Sequence, residues 1–198
     1  MKHTLDIYKI LETLKGTVRH SYLSNGLQER VGGHCWSSMF LAFYLSQFLE
    51  RRVDMFTVYE MLLVHDLAEA TTGDTPAHEN HLIEDKFGIE LEAMMSMKST
   101  LRSVHGRVLS LWNEFEHGIS ASPEAGFAQA IDKLDGAIQH LSMPDEFVTD
   151  AELESEIHYR PAQLCTHEPA LLELALSVGD AIETKHKKIK EDRIIYGK

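Results

Sequence analysis

The chain of 198 residues has few cysteines and few prolines. Its two cysteines, Cys35 and Cys165, are too few for a disulfide framework, which favours a reduced compartment, and we expect a cytoplasmic protein. The five prolines and 12 glycines form no linker-like tract, and no internal repeat is visible. The sequence therefore predicts a single domain over residues 1–198.

Long apolar runs are also missing. The most apolar stretch, Trp36–Leu49, is interrupted by serine and glutamine and is shorter than the roughly 20 residues needed to cross a bilayer. The N-terminal residues carry charges among apolar side chains, which is not typical of a signal peptide. We therefore expect no membrane partner.

Positive charge is scarce as well. The chain has 19 Lys and Arg against 31 Asp and Glu, so its formal net charge is −12. An acidic surface repels polyanions, which argues against a nucleic-acid polymer as partner. A small phosphorylated substrate stays compatible with this charge, because a bound cation and a few local basic groups can outweigh the global field.

Strand signals are nearly absent, whereas helical spacing of apolar residues recurs along the chain. The pattern predicts an all-α fold, a compact multi-helix bundle with a motif-bearing core over about 19–141 and C-terminal helices over about 150–192. The polar, glycine-containing segment 19–33 predicts a loop. The first expected helix ends near Gly16. The second is expected from 34 to about 50, with burial on several sides. Further helices are expected from Asp54 to about 72, from about 89 to 115, from 123 to before Pro144, and onward from Pro169.

Acidic and imidazole side chains cluster at the end of the helix predicted from Asp54. His65 and Asp66 follow an apolar run, and Glu69 lies about one turn after His65, so the side chains of these two residues share a region. The turn at Gly73-Asp74 adds another acid. A buried carboxylate is costly unless it is paired or bound to a metal, which makes this cluster a candidate site.

A lone His-Asp pair is explained equally well by a core histidine tied to a carboxylate. Two further donors favour a metal. His34 begins an apolar helix directly after two glycines, where a polar ring would otherwise be unfavourable, and Asp132 lies at the edge of the buried face of a later helix. Three helices thus each supply a nitrogen or oxygen donor, as in metal sites inside helical bundles, so we expect the metal site in the core.

The other candidate ligands have simpler interpretations. Among the 12 histidines, we expect His78, His81, His117 and His140 to be solvated. Cys35 is expected to be a buried, inert thiol. The methionines of the segment 94–97 are expected to pack in the core or in an interface, and the lysines of the segment 185–190 to form a solvated helix end.

The ordered set His34, His65-Asp66 and Asp132 resembles the HD-domain phosphohydrolase superfamily. More narrowly, three segments are similar to the bacterial 5′-deoxynucleotidase group and its HD-domain-containing relatives: Glu29–His34, His65–Pro76 and Pro123–Asp135. The resemblance covers the chain from about 19 to 141. Its most specific part is the pattern HDxxExxxGDxP, since a bare His-Asp dipeptide is common.

This resemblance implies one divalent transition metal, and it allows a second ion with substrate. Mixed imidazole and carboxylate ligands suit Mn, Co, Fe, Zn or Ni, and the residues do not choose among them. The implied metal ligands are His34, His65, Asp66 and Asp132. Asp66 is also an implied catalytic residue.

The resemblance implies roles for three residues around the metal. Glu69 is similar to the family acid that handles the proton of the attacking water or of the leaving oxygen. Arg19 is similar to the arginine that grips the phosphate, and a guanidinium suits that task because it binds two phosphate oxygens at once. Asp74 is similar to the carboxylate that contacts the sugar hydroxyl and disfavours ribose.

One position departs from the family pattern. His20 follows Arg19, where family members often carry tryptophan. His20 is therefore a substrate-binding candidate, and this difference leaves the identity of the substrate open.

The implied reaction is hydrolysis of deoxyribonucleoside 5′-monophosphates. The alternatives are a dNTP triphosphohydrolase with the same site and a catalytically silent nucleotide-binding regulator. The resemblance also implies a homodimer, with the Met-rich helix and the C-terminal helix as candidate interfaces.

Overall fold

The computed structural model describes residues 2–76, 83–155 and 160–196, so His78 and His81 lie outside the described residues. Within these ranges the fold is an all-α bundle with one short hairpin, which confirms the predicted fold class. Its helices are α1 (Lys2–Gly16), α2 (Val31–Leu45), α3 (Met55–Val64), α4 (Glu69–Thr72), α5 (Lys86–Ser96), α6 (Lys98–Leu101), α7 (His105–His117), α8 (Pro123–Ser142), α9 (Asp150–Glu154), α10 (Arg160–Leu164) and α11 (Pro169–Tyr196).

Helix α8 is the centre of the bundle, since α2, α3, α7, α10 and α11 all pack against it. Phe127, Ile131 and Leu134 recur at helical spacing and are completely buried, or nearly so. Burial of each such side chain stabilises the fold by about 1.5–3 kcal/mol. Asp132, one position beyond Ile131, is therefore carried into the interior together with the apolar face.

The segment predicted as a loop contains a β-hairpin instead. Strand β1 (Val18–Tyr22) pairs antiparallel with β2 (Gln28–Arg30), and Val18 lies opposite Arg30. The connecting turn places Gly26 at a φ of 80°, a left-handed conformation that glycine adopts without strain. The polar composition hid these strands, whose buried residues on β1 are Arg19 and Ser21 rather than apolar side chains. The hairpin makes Arg19 part of a hydrogen-bonded element.

The helix predicted over about 89–115 is wrong, because the chain breaks between α5 and α7. Arg102 adopts a positive φ of 54° and starts a 3-10 turn that leads into α7. The imidazole of His105, at the start of α7, donates from Nε2 to the carbonyl oxygen of Met94 on α5 at 3.1 Å. A buried imidazole needs such a partner, and the turn brings the ring to it.

Helix α2 is shorter than predicted and is buried on one side only. Its buried positions recur every three or four residues, from Val31 and His34 to Leu45. The opposite side exposes an aromatic face of this chain, formed by Trp36, Phe40, Phe43 and Tyr44. No helix within the described ranges combines the length and hydropathy needed to cross a membrane.

Helix α3 ends directly before the His65-Asp66 pair, which the sequence predicts to lie within a helix. α3 stops at Val64, and the chain continues as tight turns in which the Leu67 N–H donates to the Val64 carbonyl and the Glu69 N–H donates to the Asp66 carbonyl. His65 itself keeps helical dihedrals, and its N–H donates to the Met61 carbonyl. Nε2 of His65 and Oδ1 of Asp66 lie 3.3 Å apart, so the two neighbouring side chains approach the same point.

The N-terminus of α8 is capped by Ser122, as the sequence predicts. The Ser122 hydroxyl accepts a hydrogen bond from the Ala125 N–H, and Pro123 occupies the first turn, as predicted. We expect Ser122→Ala to lower the free energy of unfolding by about 1 kcal/mol, because one buried helix donor loses its partner. Ser122→Asp, which retains a capping oxygen, serves as the control in urea denaturation. Equal midpoints for the alanine variant and the wild type would contradict this role.

Candidate metal centre and substrate cleft

Two imidazoles and two carboxylates converge in the interior, as the sequence predicts. Nε2 of His34 lies 3.4 Å from Nε2 of His65 and 3.0 Å from Oδ1 of Asp132. Oδ1 of Asp66 lies 3.3 Å from Nε2 of His65. A metal bound at about 2.0–2.2 Å by nitrogen and oxygen places its ligand atoms roughly 3 Å apart. His34, His65 and Asp66 therefore have the separations that one such ion requires. Oδ1 of Asp132 lies beside them, 3.0 Å from Nε2 of His34 and 3.8 Å from Nε2 of His65.

The outer nitrogens of both rings are already occupied. Nδ1 of His34 lies 2.7 Å from Oδ2 of Asp135, and Nδ1 of His65 lies 2.9 Å from the Leu62 carbonyl oxygen. An acceptor at Nδ1 orients each ring so that Nε2 faces the centre, and a neutral ring with its proton on Nδ1 would offer the Nε2 lone pair to a cation. Two imidazole nitrogens and two carboxylates are donor types that a divalent transition metal takes. The donor set therefore fits a divalent cation.

The field at this centre favours positive charge. Burial and Arg19 lower the pKa of His34, but hydrogen bonds with Asp132 and Asp135 outweigh them and raise it to about 10. Burial alone would raise the pKa of Asp132, yet Lys133 and His34 hold it well below its usual range. Nζ of Lys133 binds Oδ2 of Asp132 at 2.7 Å, which turns Oδ1 towards the two imidazoles.

Arg19 lies beside the donor set. Its Nη1 is 3.6 Å from Oδ2 of Asp66 and 3.8 Å from Oδ1 of Asp74, while its Nε donates to Oε2 of Glu29 at 3.1 Å. The hydroxyl of Ser21 also donates to Oε2 of Glu29. These contacts fix a guanidinium within one side-chain length of the centre, where it can meet an anionic group bound to a metal.

Asp74 reaches the centre because α4 ends sharply. Gly73 has a φ of 76°, which glycine adopts without the penalty that a side chain would bring, and its N–H bonds the Glu69 carbonyl. Oδ2 of Asp74 accepts a hydrogen bond from the His20 N–H at 3.2 Å. Burial alone would raise the pKa of Asp74, but His20 and Arg19 lower it. Asp74 is thus an ionised acceptor beside Arg19.

Glu69 has the opposite electrostatic character. Its Oε2 is buried and has no hydrogen-bond partner among the described residues. Burial, together with the charges of Asp66 and Asp74, raises the pKa of Glu69 to about 9. At neutral pH the group is therefore a carboxylic acid that carries a proton, as a general acid requires.

A cleft of about 380 Å³ leads to this centre. Lysines on its walls are paired with acids: Lys133 with Asp132, and Lys86 with Glu90 at 3.3 Å. Burial and Glu90 raise the pKa of Glu116, on the same wall, to about 7. Aromatic surface comes from Phe87 and Phe115. The cleft thus combines the guanidinium of Arg19 with aromatic surface, and the ring of Phe115 lies 5.0 Å from that of His65.

His20 lies on the wall of this cleft, between two acids. Its Nδ1 is 3.7 Å from Oδ2 of Asp74, and its Nε2 is 3.9 Å from Oε1 of Glu152. Oε1 of Glu152 also lies 3.6 Å from Nδ1 of His140, a residue expected to be solvated. That prediction is wrong, since the side chain of His140 is buried against His186 on α11.

Two further expectations concern residues near the site. Cys35 is half-buried with its Sγ 3.9 Å from Oδ2 of Asp66, and burial and the neighbouring acids raise the pKa of the thiol above its usual range. The group stays protonated, which agrees with an inert thiol.

His117 is exposed, as predicted, whereas Lys185 is not a solvated helix end. Its ammonium donates to the His140 and Leu141 carbonyls at the end of α8.

The site also depends on Glu29, Lys133 and Asp135, for which the sequence predicts no role. Asp135 lies three residues after Asp132, so both face the same side of α8, and this spacing was the available signal. Lys133 and Glu29 act on Asp132 and Arg19 through contacts that depend on side-chain direction. Sequence spacing alone does not carry that information.

Comparison with known proteins assigns the family. The HD domain profile matches residues 11–169, and the chain belongs to this family, which confirms the superfamily resemblance. The 5′-deoxynucleotidase HDDC2 of Dictyostelium discoideum is 25% identical over 189 residues, covering 90% of this chain and 97% of that protein. The 5′-deoxynucleotidase hdd1 of Schizosaccharomyces pombe is 28% identical over 151 residues, covering 72% of this chain and 73% of that protein.

Solved structures share the fold. The predicted metal-dependent phosphohydrolase of Magnetospirillum magnetotacticum MS-1 superimposes with a TM-score of 0.74 at 23% identity, covering 92% of this chain and 95% of that chain. A protein of Pyrococcus horikoshii OT3 gives a TM-score of 0.66 at 27% identity, covering 88% of this chain and 99% of that chain. The bundle around the centre is therefore a shared architecture.

The contact between Asp135 and His34 predicts an effect on metal affinity. We expect Asp135→Asn to weaken binding of Mn²⁺ or Co²⁺ by about 10–100-fold, because the acceptor that orients Nδ1 of His34 loses its charge. Calorimetric titration at fixed pH measures this change. Asp180→Asn, an exposed substitution on α11, is the matched control. Unchanged affinity in the Asp135 variant would contradict the orienting role.

Proposed function

We propose that this chain is a metal-dependent 5′-nucleotidase that hydrolyses deoxyribonucleoside 5′-monophosphates to a deoxynucleoside and phosphate. The observation that carries the proposal is the position of Arg19, whose Nη1 lies between Asp66 of the donor set and Asp74. A phosphate held at the centre would meet this guanidinium, and the sugar next to it would meet the carboxylate of Asp74. Relatives named 5′-deoxynucleotidases support the same reaction.

His34, His65, Asp66 and Asp132 would hold one divalent ion, and the donor set suits Mn, Co, Fe, Zn or Ni. When bound, such an ion lowers the pKa of water and offsets charge on phosphoryl oxygens. Asp66 faces both the donor set and Arg19, so it would also orient the guanidinium. A second ion with substrate stays a prediction.

Glu69 would supply the proton for the leaving group. Hydrolysis forms a bond between phosphorus and a water oxygen and breaks the bond between phosphorus and the 5′ oxygen. The electron pair of the broken bond goes to the 5′ oxygen, which must then gain a proton. Because its raised pKa of about 9 keeps Glu69 protonated at neutral pH, this group can donate that proton.

Asp74 and His20 would face the sugar. An ionised carboxylate accepts a hydrogen bond from a sugar hydroxyl, and it is held in place by Arg19 and the His20 N–H. A fixed acceptor leaves little room for an additional 2′-hydroxyl. This arrangement supports the preference for deoxyribose, with His20 as the neighbouring substrate-binding residue.

The two alternatives differ from this proposal in their products. A dNTP triphosphohydrolase with the same site would release tripolyphosphate from dATP. A silent nucleotide-binding regulator would bind nucleotide and release nothing. The buried Oε2 of Glu69 on the cleft wall, which has no hydrogen-bond partner among the described residues, supports turnover.

The surroundings of the enzyme follow from the same properties. We propose a cytoplasmic protein whose partner is a small nucleotide, not a nucleic-acid polymer or a membrane. The net charge of −12 supports the exclusion of polyanions. The two cysteines, both free thiols, agree with a reduced compartment.

We also propose a homodimer, formed through the aromatic face of α2 by a second copy of this chain. Trp36, Phe40, Phe43 and Tyr44 are 53–67% exposed, and Phe48 continues the face, with its ring 5.7 Å from that of Tyr44. These side chains would bury on the order of 500 Å² per copy, more than half of the roughly 800 Å² that each partner contributes to a standard interface.

The charge of the face supports a second copy as the occupant. The sequence of α2 contains no Asp, Glu, Lys or Arg, so two copies can meet there without like-charge repulsion despite the acidic chain. On the Met-rich helix, Met94 and Met97 are buried in the core of the chain itself, while Met95 is 48% exposed. The C-terminal helix α11 also exposes apolar side chains, Ile194 and Ile195, and stays a predicted interface. Apolar patches of several hundred Å² are often functional.

The enzymatic proposal is tested by phosphate release. With Mn²⁺ or Co²⁺, we expect release of phosphate from dAMP to exceed that from AMP, and no tripolyphosphate from dATP. Asp66→Asn should abolish turnover, because the donor set loses a charged ligand. Asp74→Asn should reduce the preference for dAMP by about tenfold, equivalent to one charged hydrogen bond. Equal rates on AMP and dAMP in the wild type would refute the role of Asp74.

The dimer is tested by light scattering coupled to size exclusion. We expect the wild type at twice the chain mass of 22.5 kDa and Phe40→Glu at the chain mass, because paired carboxylates would be buried in the interface. Leu27→Glu, at an exposed position on the hairpin turn, is the matched control and should stay dimeric. A monomeric wild type would refute the proposal.

A further inference from the structure

A buried polar cluster lies behind the cleft. Its members are Glu152 of α9, His140 of α8 and His186 of α11, which are 2%, 3% and 4% exposed. Nε2 of His140 lies 2.7 Å from Nε2 of His186, so one ring donates to the other. Buried polar groups cost stability unless they are paired, and the pairing here joins three helices. The proposed metal centre does not use this cluster.

The two oxygens of Glu152 have different partners. Oε2 completes a capping box, because it accepts from the Thr149 N–H at 2.7 Å and from the Thr149 hydroxyl at 2.8 Å. Oε1 lies 3.6 Å from Nδ1 of His140 and 3.9 Å from Nε2 of His20. Capping therefore explains one oxygen and leaves the second directed at two imidazoles.

Glu152 is charged despite its burial. Burial alone would raise its pKa, but His140 and Thr149 outweigh that effect and lower the pKa to about 2. A neutral glutamine would cap α9 as well as glutamate does, since its carbonyl oxygen also accepts hydrogen bonds. Cap formation alone therefore gives no reason for a buried charge, which would be costly without the facing imidazoles.

His20 is the link between this cluster and the cleft. Its Nε2 faces Glu152, its Nδ1 lies 3.7 Å from Oδ2 of Asp74, and its own N–H donates to that oxygen. With a carboxylate oxygen at 3.7 Å from one ring nitrogen and at 3.9 Å from the other, an N–H on either nitrogen points towards an acceptor. Loss of the Glu152 carboxylate would remove the acceptor on one side and allow the ring to turn.

We propose that Glu152 is a positioning residue for substrate binding, because it holds the imidazole of His20 on the cleft wall beside Asp74. His140 and the α9 cap fix the carboxylate from behind, so the orientation of His20 depends on the junction of α8, α9 and α11. The inference rests on the proposed function, in which Asp74 and His20 face the sugar. Glu152 itself touches no reacting atom.

The kinetic test compares Glu152→Gln with Glu154→Gln, an exposed control on the same helix. In the metal-loaded enzyme we expect Glu152→Gln to raise the KM for dAMP about tenfold, the equivalent of one lost charged contact, with kcat changed less than twofold. Glu154→Gln should leave both unchanged. A lower melting temperature with an unchanged KM would show a purely structural role and overturn the proposal.

A double-mutant cycle shows whether Glu152 acts through His20. In a His20→Ala background, Glu152→Gln should cause no further rise in KM, because the ring that it positions is gone. An equal rise in both backgrounds would overturn the proposal. If Glu152→Gln fails to fold, Glu152→Asp retains the charge at a greater distance. It should raise KM by a smaller factor, again only when His20 is present.

A third measurement is independent of turnover. The ring nitrogen resonances of His20, recorded by NMR on the full chain without nucleotide, should shift in Glu152→Gln and stay unchanged in Glu154→Gln. Unchanged resonances in both variants would overturn the proposal. If the wild type releases no phosphate from any deoxynucleotide, the proposed function fails. The NMR comparison then still decides whether Glu152 positions His20.

Discussion

The convergence of two imidazoles and two carboxylates in a buried interior is the constraint on which this fold depends. Nε2 of His34 and Nε2 of His65 face each other at 3.4 Å, with the oxygens of Asp66 and Asp132 close by. Two carboxylates are unfavourable in a buried interior unless positive charge, from a protonated imidazole or a bound cation, compensates them. The outer nitrogens are held by Asp135 and a backbone carbonyl, so both Nε2 atoms stay directed at the centre. The packing of α2, α3 and α8 therefore maintains a centre that favours binding of a cation.

The helices are interrupted near this centre. Helix α3 ends at Val64, and tight turns that contain His65 and Asp66 connect it to α4. The left-handed Gly73 ends α4 and turns the chain so that Asp74 approaches Arg19. At these interruptions some backbone groups lack the hydrogen bonds of a continuous helix, although the region is otherwise well packed. Their common result is that the charged groups of different elements meet around one cleft.

Acids of similar intrinsic strength acquire different tasks in this cleft. Lys133 and His34 keep Asp132 ionised, whereas the charges of Asp66 and Asp74 and the burial of its side chain keep Glu69 protonated. The first state suits a metal ligand, and the second suits a proton donor. The environment of each carboxyl group, set by elements distant in sequence, thus determines whether that group is ionised or protonated. The same principle extends outward to Glu152, whose charge is stabilised by His140.

Periodicity and motif spacing were enough to predict the all-α class, the cap at Ser122, and the meeting of His34, His65, Asp66 and Asp132, because these depend on local preferences and a specific ordered pattern. The hairpin was missed, since its buried residues include Arg19, and burial of polar groups leaves no apolar alternation. The burial of His140 and the orienting contacts of Asp135 were decided by tertiary structure alone. Each depends on a partner 46 or 101 residues away in the chain, and one sequence contains no record of such distances.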